Sequence, residues 1–290
     1  MKTALTLHLL LSCAFSMAQL PDTDLHLFEF SEIDGNINIQ SATYLNGFNL
    51  DGYNNQPTFL DNGRILISSN AYGDPSKTEI LELNVREQLI KRITDTDESE
   101  FSPTLLSDGD FSTVRIETDG VTQSLYKYTY PDGQARTHIL PKTTNIGYHH
   151  WIDDYTLALF LVDEINYLAL GFTSDGSTKL LDSNIGRCIK KYFGSTFLYV
   201  AKTTEDRWHL KSYNPEIGRT KTLLRMPRDS EDFIVAKDGT IYCTQGSKIY
   251  SCNLIVNKEF SEAVDLEKYD INNISRIAML DNQLVVVSQK

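Results

Sequence analysis

The residues best suited to chemistry concentrate in one pentapeptide. Gly147-Tyr148-His149-His150-Trp151 holds two of the six histidines and one of the two tryptophans. An imidazole titrates near neutrality, so His149 or His150 could act as a base, a ligand or a hydrogen-bond donor. Adjacent side chains in a strand face opposite ways, so only one of the two can look into a given site. The alternative is structural: a packing Trp151 beside a histidine satisfied by a backbone carbonyl. Partner groups stand far away in sequence. Glu98 and Glu100 offer carboxylates, Arg187 a guanidinium and Asp232 another carboxylate. With Tyr148, such a group suits a small polar ligand or a peptide terminus. Glu100, His149 and Asp232 could also hold a divalent cation, which Arg187 would oppose. No other cofactor is expected.

Common catalytic signatures are missing. There is no G-x-S-x-G elbow, and Gly171-Phe172-Thr173-Ser174-Asp175-Gly176 reads as a strand end and turn. No G-x-G-x-x-G, Walker A or H-E-x-x-H sequence occurs. Asp95-Thr96-Asp97 is a fragment of a calcium loop without its Gly or distal Glu, so 95–100 reads as a solvated acidic loop.

The elements that must position these residues are announced by turns. One series runs Asn62-Gly63, Asp108-Gly109, Asp153-Asp154, Phe193-Gly194, Asp238-Gly239 and Asp281-Asn282, at intervals of 46, 45, 40, 45 and 43 residues. That is the period of a four-stranded propeller blade. Each turn precedes a run rich in β-branched or aromatic residues, such as Arg64-Ile65-Leu66-Ile67-Ser68 or Leu284-Val285-Val286-Val287. The runs alternate poorly between apolar and polar, as in sheets covered on both faces. A second series interleaves: Asp34-Gly35, Val85-Arg86, Asp132-Gly133, Asp175-Gly176, Ile217-Gly218 and Val256-Asn257. Six inner and six outer hairpins predict an all-β, six-bladed β-propeller.

The order of the two series predicts how the ring closes. The outer series begins first and the inner series ends last. The segment 24–45 should therefore supply outer strands to the blade whose inner strands lie at 274–288, removing the edges of an open ring. The starts of the innermost strands then converge at one end of the channel. Asn55 and Gln56, Glu98 and Glu100, Tyr148 and His149, Gly186 and Arg187, Glu231 and Asp232, and Asn273 and Ser275 should meet there.

Gln56-Pro57-Thr58-Phe59-Leu60-Asp61-Asn62-Gly63, and Glu100-Phe101-Ser102-Pro103-Thr104-Leu105 with Asp108-Gly109, resemble the WD-like repeat of TolB-type propellers. The first two blades carry the motif; the others keep the turn and lose Ser-Pro. The resemblance implies a periplasmic or secreted propeller acting by protein contact. The same repeat forms the propeller of prolyl-oligopeptidase-type peptidases, whose hydrolase domain is not expected here because the signal and six blades use all 290 residues.

Composition narrows the partners. The net charge of −12 and pI of about 4.9 argue against nucleic acid and anionic membranes. Met1-Lys2-Thr3, an apolar run from Ala4 to Ala14 and Ser16-Met17-Ala18 predict a secretory signal over 1–18, cleaved before Gln19. Leu10-Leu11-Ser12-Cys13 is the alternative, a lipoprotein box. The rest, 19–290, should be one propeller domain, monomeric and not inserted in a membrane. Cys188, Cys243 and Cys252 remain, with a strained Cys243–Cys252 disulfide weighed against simple burial. Most of the 15 tyrosines fall in strands, as in Tyr126-Lys127-Tyr128-Thr129-Tyr130, and read as packing between blades. The expected function is non-enzymatic binding of a protein or peptide at the channel mouth. A channel-mouth lyase, lactonase or cyclase and a carbohydrate-binding or adhesion module are the alternatives.

Overall fold

The computed structural model describes residues 20–33 and 36–290; the expected signal segment, with Cys13, and the Asp34-Gly35 turn lie outside them. The described residues open with two long strands, β1 (Thr23–Ile33) and β2 (Asn36–Tyr44). Blade 1 follows with β3 (Asn54–Asp61), β4 (Arg64–Ser69), β5 (Glu79–Asn84) and β6 (Leu89–Arg92). Blade 2 comprises β7 (Ser99–Leu105), β8 (Phe111–Ile116), β9 (Gln123–Tyr128) and β10 (Ala135–Ile139). Blade 3 has β11 (Ile146–Trp151), β12 (Thr156–Leu161), β13 (Tyr167–Phe172) and β14 (Ser177–Ser183). Blade 4 has β15 (Ile185–Lys191), β16 (Phe197–Thr204), β17 (Arg207–Asn214) and β18 (Arg219–Arg225). Blade 5 has β19 (Phe233–Val235), β20 (Ile241–Gln245), β21 (Lys248–Cys252) and β22 (Ser261–Asp265). Then come β23 (Ile274–Leu280) and β24 (Gln283–Gln289), which join β1 and β2 in the order β2-β1-β24-β23.

The result is a six-bladed β-propeller of four-stranded antiparallel sheets. Blade 6 is built from both chain ends, with Leu25 opposite Val287 and Leu27 opposite Val285. Thr23 fastens this blade to blade 1: its hydroxyl donates to Asn54 O at 2.8 Å and accepts from Asn54 N at 2.8 Å.

The core lies in six seams between blades, and strand alternation feeds two seams at once. In β4, Ile65 and Ile67 pack with Leu25, Leu27, Val285 and Val287, while Leu66 turns the other way to Phe111 and Tyr128. In β24, Leu284 and Val286 join Phe28, Phe30 and Tyr242 on the opposite side. Leu157 and Leu159 meet Val114 and Leu125 of blade 2, whereas Ala158 and Phe160 meet Phe197 and Tyr199 of blade 4. Full burial of each such Leu, Ile, Val or Phe contributes about 1.5–3 kcal/mol. This two-sided burial is why the runs show little apolar–polar alternation. Cys188, Cys243 and Cys252 are buried free thiols in the seam between blades 4 and 5. Cys243 stands opposite Tyr250 and Cys252 opposite Ile241, so the two are diagonal neighbours and form no disulfide. No helix of the described residues is long and apolar enough to cross a membrane.

All six inner strands begin at the same end of the ring. Loops between second and third strands lie at that end too, as Asn70 N→Tyr53 O (3.1 Å), Val162 N→Asn145 O (2.9 Å) and Lys202 N→Asn184 O (2.7 Å) record. Five of the six inner strands carry a bulge close to their start. In blades 1 and 2 the bulge is at Gln56-Pro57 and Ser102-Pro103, where Gln56 and Ser102 have φ of 56° and 57°. Non-glycine residues seldom adopt that conformation, and a bulge re-aims the side chains after it. Gln56 Oε1 accepts from Ser102 N at 2.8 Å and so latches one bulge to the next.

Candidate functional site

The strand starts surround a cavity of about 100 Å³ lined by Gln56, Tyr148, His149, Arg187, Lys190, Asp232 and Arg276, among others. Arg276, on β23 of blade 6, donates from Nη2 to the Tyr148 hydroxyl on β11 at 2.7 Å. Blades 3 and 6 are diametrically opposite in a six-membered ring, so this bond spans the channel. The Arg276 guanidinium also lies over the Tyr148 ring, 5.2 Å from its centroid. Its Nη1 donates to Ser275 O at 3.2 Å and lies 3.8 Å from Asp232 Oδ1. Burial works against this charge, yet Tyr148 and Asp232 raise the Arg276 pKa above its ordinary value. Arg187 reaches from blade 4 to the same Ser275 O at 3.0 Å. Burial pushes the Tyr53 phenol well above its usual range, with Tyr148, Arg276 and Arg187 in electrostatic reach.

Two acids of blade 5 hold this arrangement in place. Glu231 Oε1 accepts from Arg187 N at 2.6 Å and Oε2 from Lys202 Nζ at 3.1 Å, which fastens blade 4. Burial alone would raise its carboxyl, but Arg187 and Lys202 outweigh it and hold Glu231 below the ordinary value. Asp232 Oδ2 accepts from Ile277 N at 3.0 Å and fastens blade 6. A carboxylate that caps a backbone N–H is rigid, and rigid groups recognise ligands with little ordering cost.

The other candidate residues go elsewhere. His149 touches the cavity wall, but its Nε2 is 2.7 Å from Ser112 Oγ of blade 2, which also accepts from Trp151 Nε1 at 3.0 Å. His150 is not part of the cavity wall: next to His149 along β11, it faces the other side of the strand, with Lys190 and Lys191 of blade 4 in electrostatic reach. Burial lowers both imidazoles to about 3, so both are neutral at physiological pH. Glu100 is the second residue of β7 and is fully buried, which corrects the solvated-loop reading for that residue. It lies between blades 1 and 2, accepting from Thr96 Oγ1 at 2.6 Å and from Tyr128 OH at 3.0 Å. Asp95 and Asp97 are exposed, as a solvated loop requires. Glu98 stays near the surface, 3.9 Å from Arg115 Nη1, in a wider depression of about 720 Å³ over blades 1 and 2.

No protein-family model matches the sequence, and no curated protein does. Solved structures do. A putative TolB from Agrobacterium tumefaciens superposes with a TM-score of 0.69 at 8% identity, covering 93% of this chain and 99% of that one. The chain has a TolB-like propeller fold. A structure from the nidogen/laminin complex gives a TM-score of 0.61 at 13% identity, over 92% and 98% of the two chains. An oligogalacturonate lyase in complex with manganese gives 0.56 at 13% identity, over 92% and 91%. At these identities the likeness is one of fold, and function has to be argued from the site.

Within this TolB-like propeller, no group of three or more His, Cys, Asp or Glu side chains among the described residues is placed to hold a metal. Glu100, His149 and Asp232 each answer to a different partner, Tyr128, Ser112 and Ile277 N respectively. They therefore make no common donor set. Tyr148, Arg187 and Asp232 do come together at the channel, joined by Arg276, Lys190 and Tyr53, which sequence reasoning passed over. Arg276 had a readable signal: it is the one charged residue in the otherwise apolar or small run Ile274-Ser275-Arg276-Ile277-Ala278-Met279-Leu280. The bulge between Ile274 and Arg276 then brings it to the channel.

Proposed function

We propose that this protein is an exported, non-enzymatic propeller that binds a protein or peptide at the channel end where its inner strands begin. One observation carries the reading. The groups that reach the channel are recognition groups, Arg187, Arg276, Tyr148 and Asp232, each already oriented by a hydrogen bond. The groups suited to proton transfer do not face it freely: His149 is committed to Ser112 of blade 2, His150 is outside the cavity lining, and Glu100 is buried between blades 1 and 2. Tyrosine and arginine are the side chains that concentrate binding energy at protein interfaces. The export component rests on the charged, apolar and small-residue pattern of 1–18.

The test is affinity capture from the envelope fraction of the source cell, comparing the wild type with Arg276→Met. The reading expects a partner retained by the wild type and lost from a variant whose melting temperature is little changed. Equal retention by both would count against the channel end. Turnover of a sugar or lactone substrate by the purified protein would replace the reading with the enzyme alternative.

A further inference from the structure

The channel cavity carries an excess of positive charge. Its charged lining is Arg187, Lys190 and Arg276 against Asp232 alone, with His149 neutral. This stands inside a chain whose net charge is −12. Glu231, the other acid nearby, is shared: it accepts from Lys202 and from the backbone of Arg187, and the Arg187 charge also acts on it, so it offsets only part of the excess. Two guanidinium groups from different blades converge on one neutral acceptor, Ser275 O, at 3.0 and 3.2 Å. Like charges held this close in a poorly solvated place favour an anion beside them.

The donors to receive it are present. Each guanidinium has five N–H bonds. Among the described residues, Arg187 donates one side-chain bond, from Nη2, and its buried Nε has no partner. Among these residues Arg276 hydrogen-bonds to Tyr148 and Ser275 only, with Asp232 3.8 Å away. A planar fork with a free Nε edge matches a carboxylate in a bidentate arrangement. Size narrows the choice further. About 100 Å³ admits a carboxylate group or a few waters, and is well below the roughly 300–1,000 Å³ of a pocket that encloses a drug-sized ligand.

We propose that Arg187 and Arg276 form a carboxylate-binding site in the channel, which accepts a terminal carboxylate of the bound ligand. This deepens the binding reading above and rests on it. The carboxylate belongs either to a peptide C-terminus or to a free small acid, and the same titration separates the two.

The experiment follows the Arg187 Nε–H resonance in the 15N-labelled chain, assigned by its disappearance in Arg187→Lys. Three probes are titrated: tri-alanine with a free carboxylate, its C-terminal amide, and acetate. The site predicts a saturable shift of that resonance with the free acid, and at least tenfold weaker binding of the amide. Acetate binding as tightly as the free tripeptide would assign the site to small acids; weaker acetate binding would assign it to a peptide terminus. An unmoved resonance with both acids, or equal response to acid and amide, overturns the site. Arg187→Lys keeps the charge and loses Nε, so it should weaken the free acid's binding at least tenfold by calorimetry. Should the variant fail to fold, the wild-type titration still decides. Loss of the carboxylate response with partner capture intact would remove this site and leave the binding reading standing.

Discussion

Glu100 is a carboxyl group buried beside a second carboxyl, Glu79, which lies on β5 across the seam. Burial raises its pKa to about 7 and Glu79 adds to the rise, while Thr96 and Tyr128 hold it down by hydrogen bonding. A carboxyl raised above its unfolded value of about 4.3 favours the folded state fully only below that value. The contribution is lost as pH climbs through 7. Glu100→Gln removes the titration and keeps the shape, so its melting temperature relative to wild type should rise between pH 5 and pH 8. A difference constant over that range, by calorimetry, would show that Glu100 is not protonated in the fold. The residue scale was the least legible in sequence. Glu100 and Asp97 are alike on paper, and only packing against blade 1 beside Glu79, with Tyr128 and Thr96 as hydrogen-bond partners, makes one a core group and the other a surface one.

Elements were far more legible, because a hairpin is specified locally by its turn. The inner turns, and every outer turn among the described residues, fall between the strands they were expected to join. Gly133 shows what the second series encodes beyond position. Its φ is +63°, and a Cβ there would lie 1.8 Å from Ile93 O of the neighbouring blade. Gly176, at φ +70° in the equivalent turn of blade 3, has nothing within 4 Å. Ala at either position takes the left-handed penalty of about 1–2 kcal/mol, but only Gly133→Ala must also move a blade. Chemical denaturation should find Gly133→Ala at least ~1 kcal/mol more destabilised than Gly176→Ala; equal losses would contradict the contact. The channel composition was harder to read for a geometric reason. Counting a fixed offset from each turn assumes regular strands, and the bulges at Gln56, Ser102 and the start of β23 change which side chain faces inward. Arg276 was missed this way. His149 lies at the cavity wall, but its contact with Ser112 depends on the neighbouring blade.

At the scale of the molecule, ring closure and channel belong to one argument. β1 supplies Leu25 and Leu27 to the seam with blade 1 and Phe28 and Phe30 to the seam with blade 5, so two of six seams depend on this strand. A chain beginning at Asn46 would expose the edge of β24 and leave both seams half filled. It should show no cooperative thermal transition by circular dichroism, whereas native-like melting would contradict closure by the N-terminal strands. That closure is also what holds β23, and with it Arg276, across the channel from Tyr148. On the proposed function, this end of the ring is where the protein is engaged. The most direct test places a photo-crosslinking residue at Val121 or Ile165, in exposed loops at the inner-strand-start end, and at Ile255 in an outer turn at the other end. In the envelope fraction of the source cell, a discrete crosslinked species should form from Val121 or Ile165 and not from Ile255. Crosslinking from Ile255 alone, or equally from both ends, would contradict it.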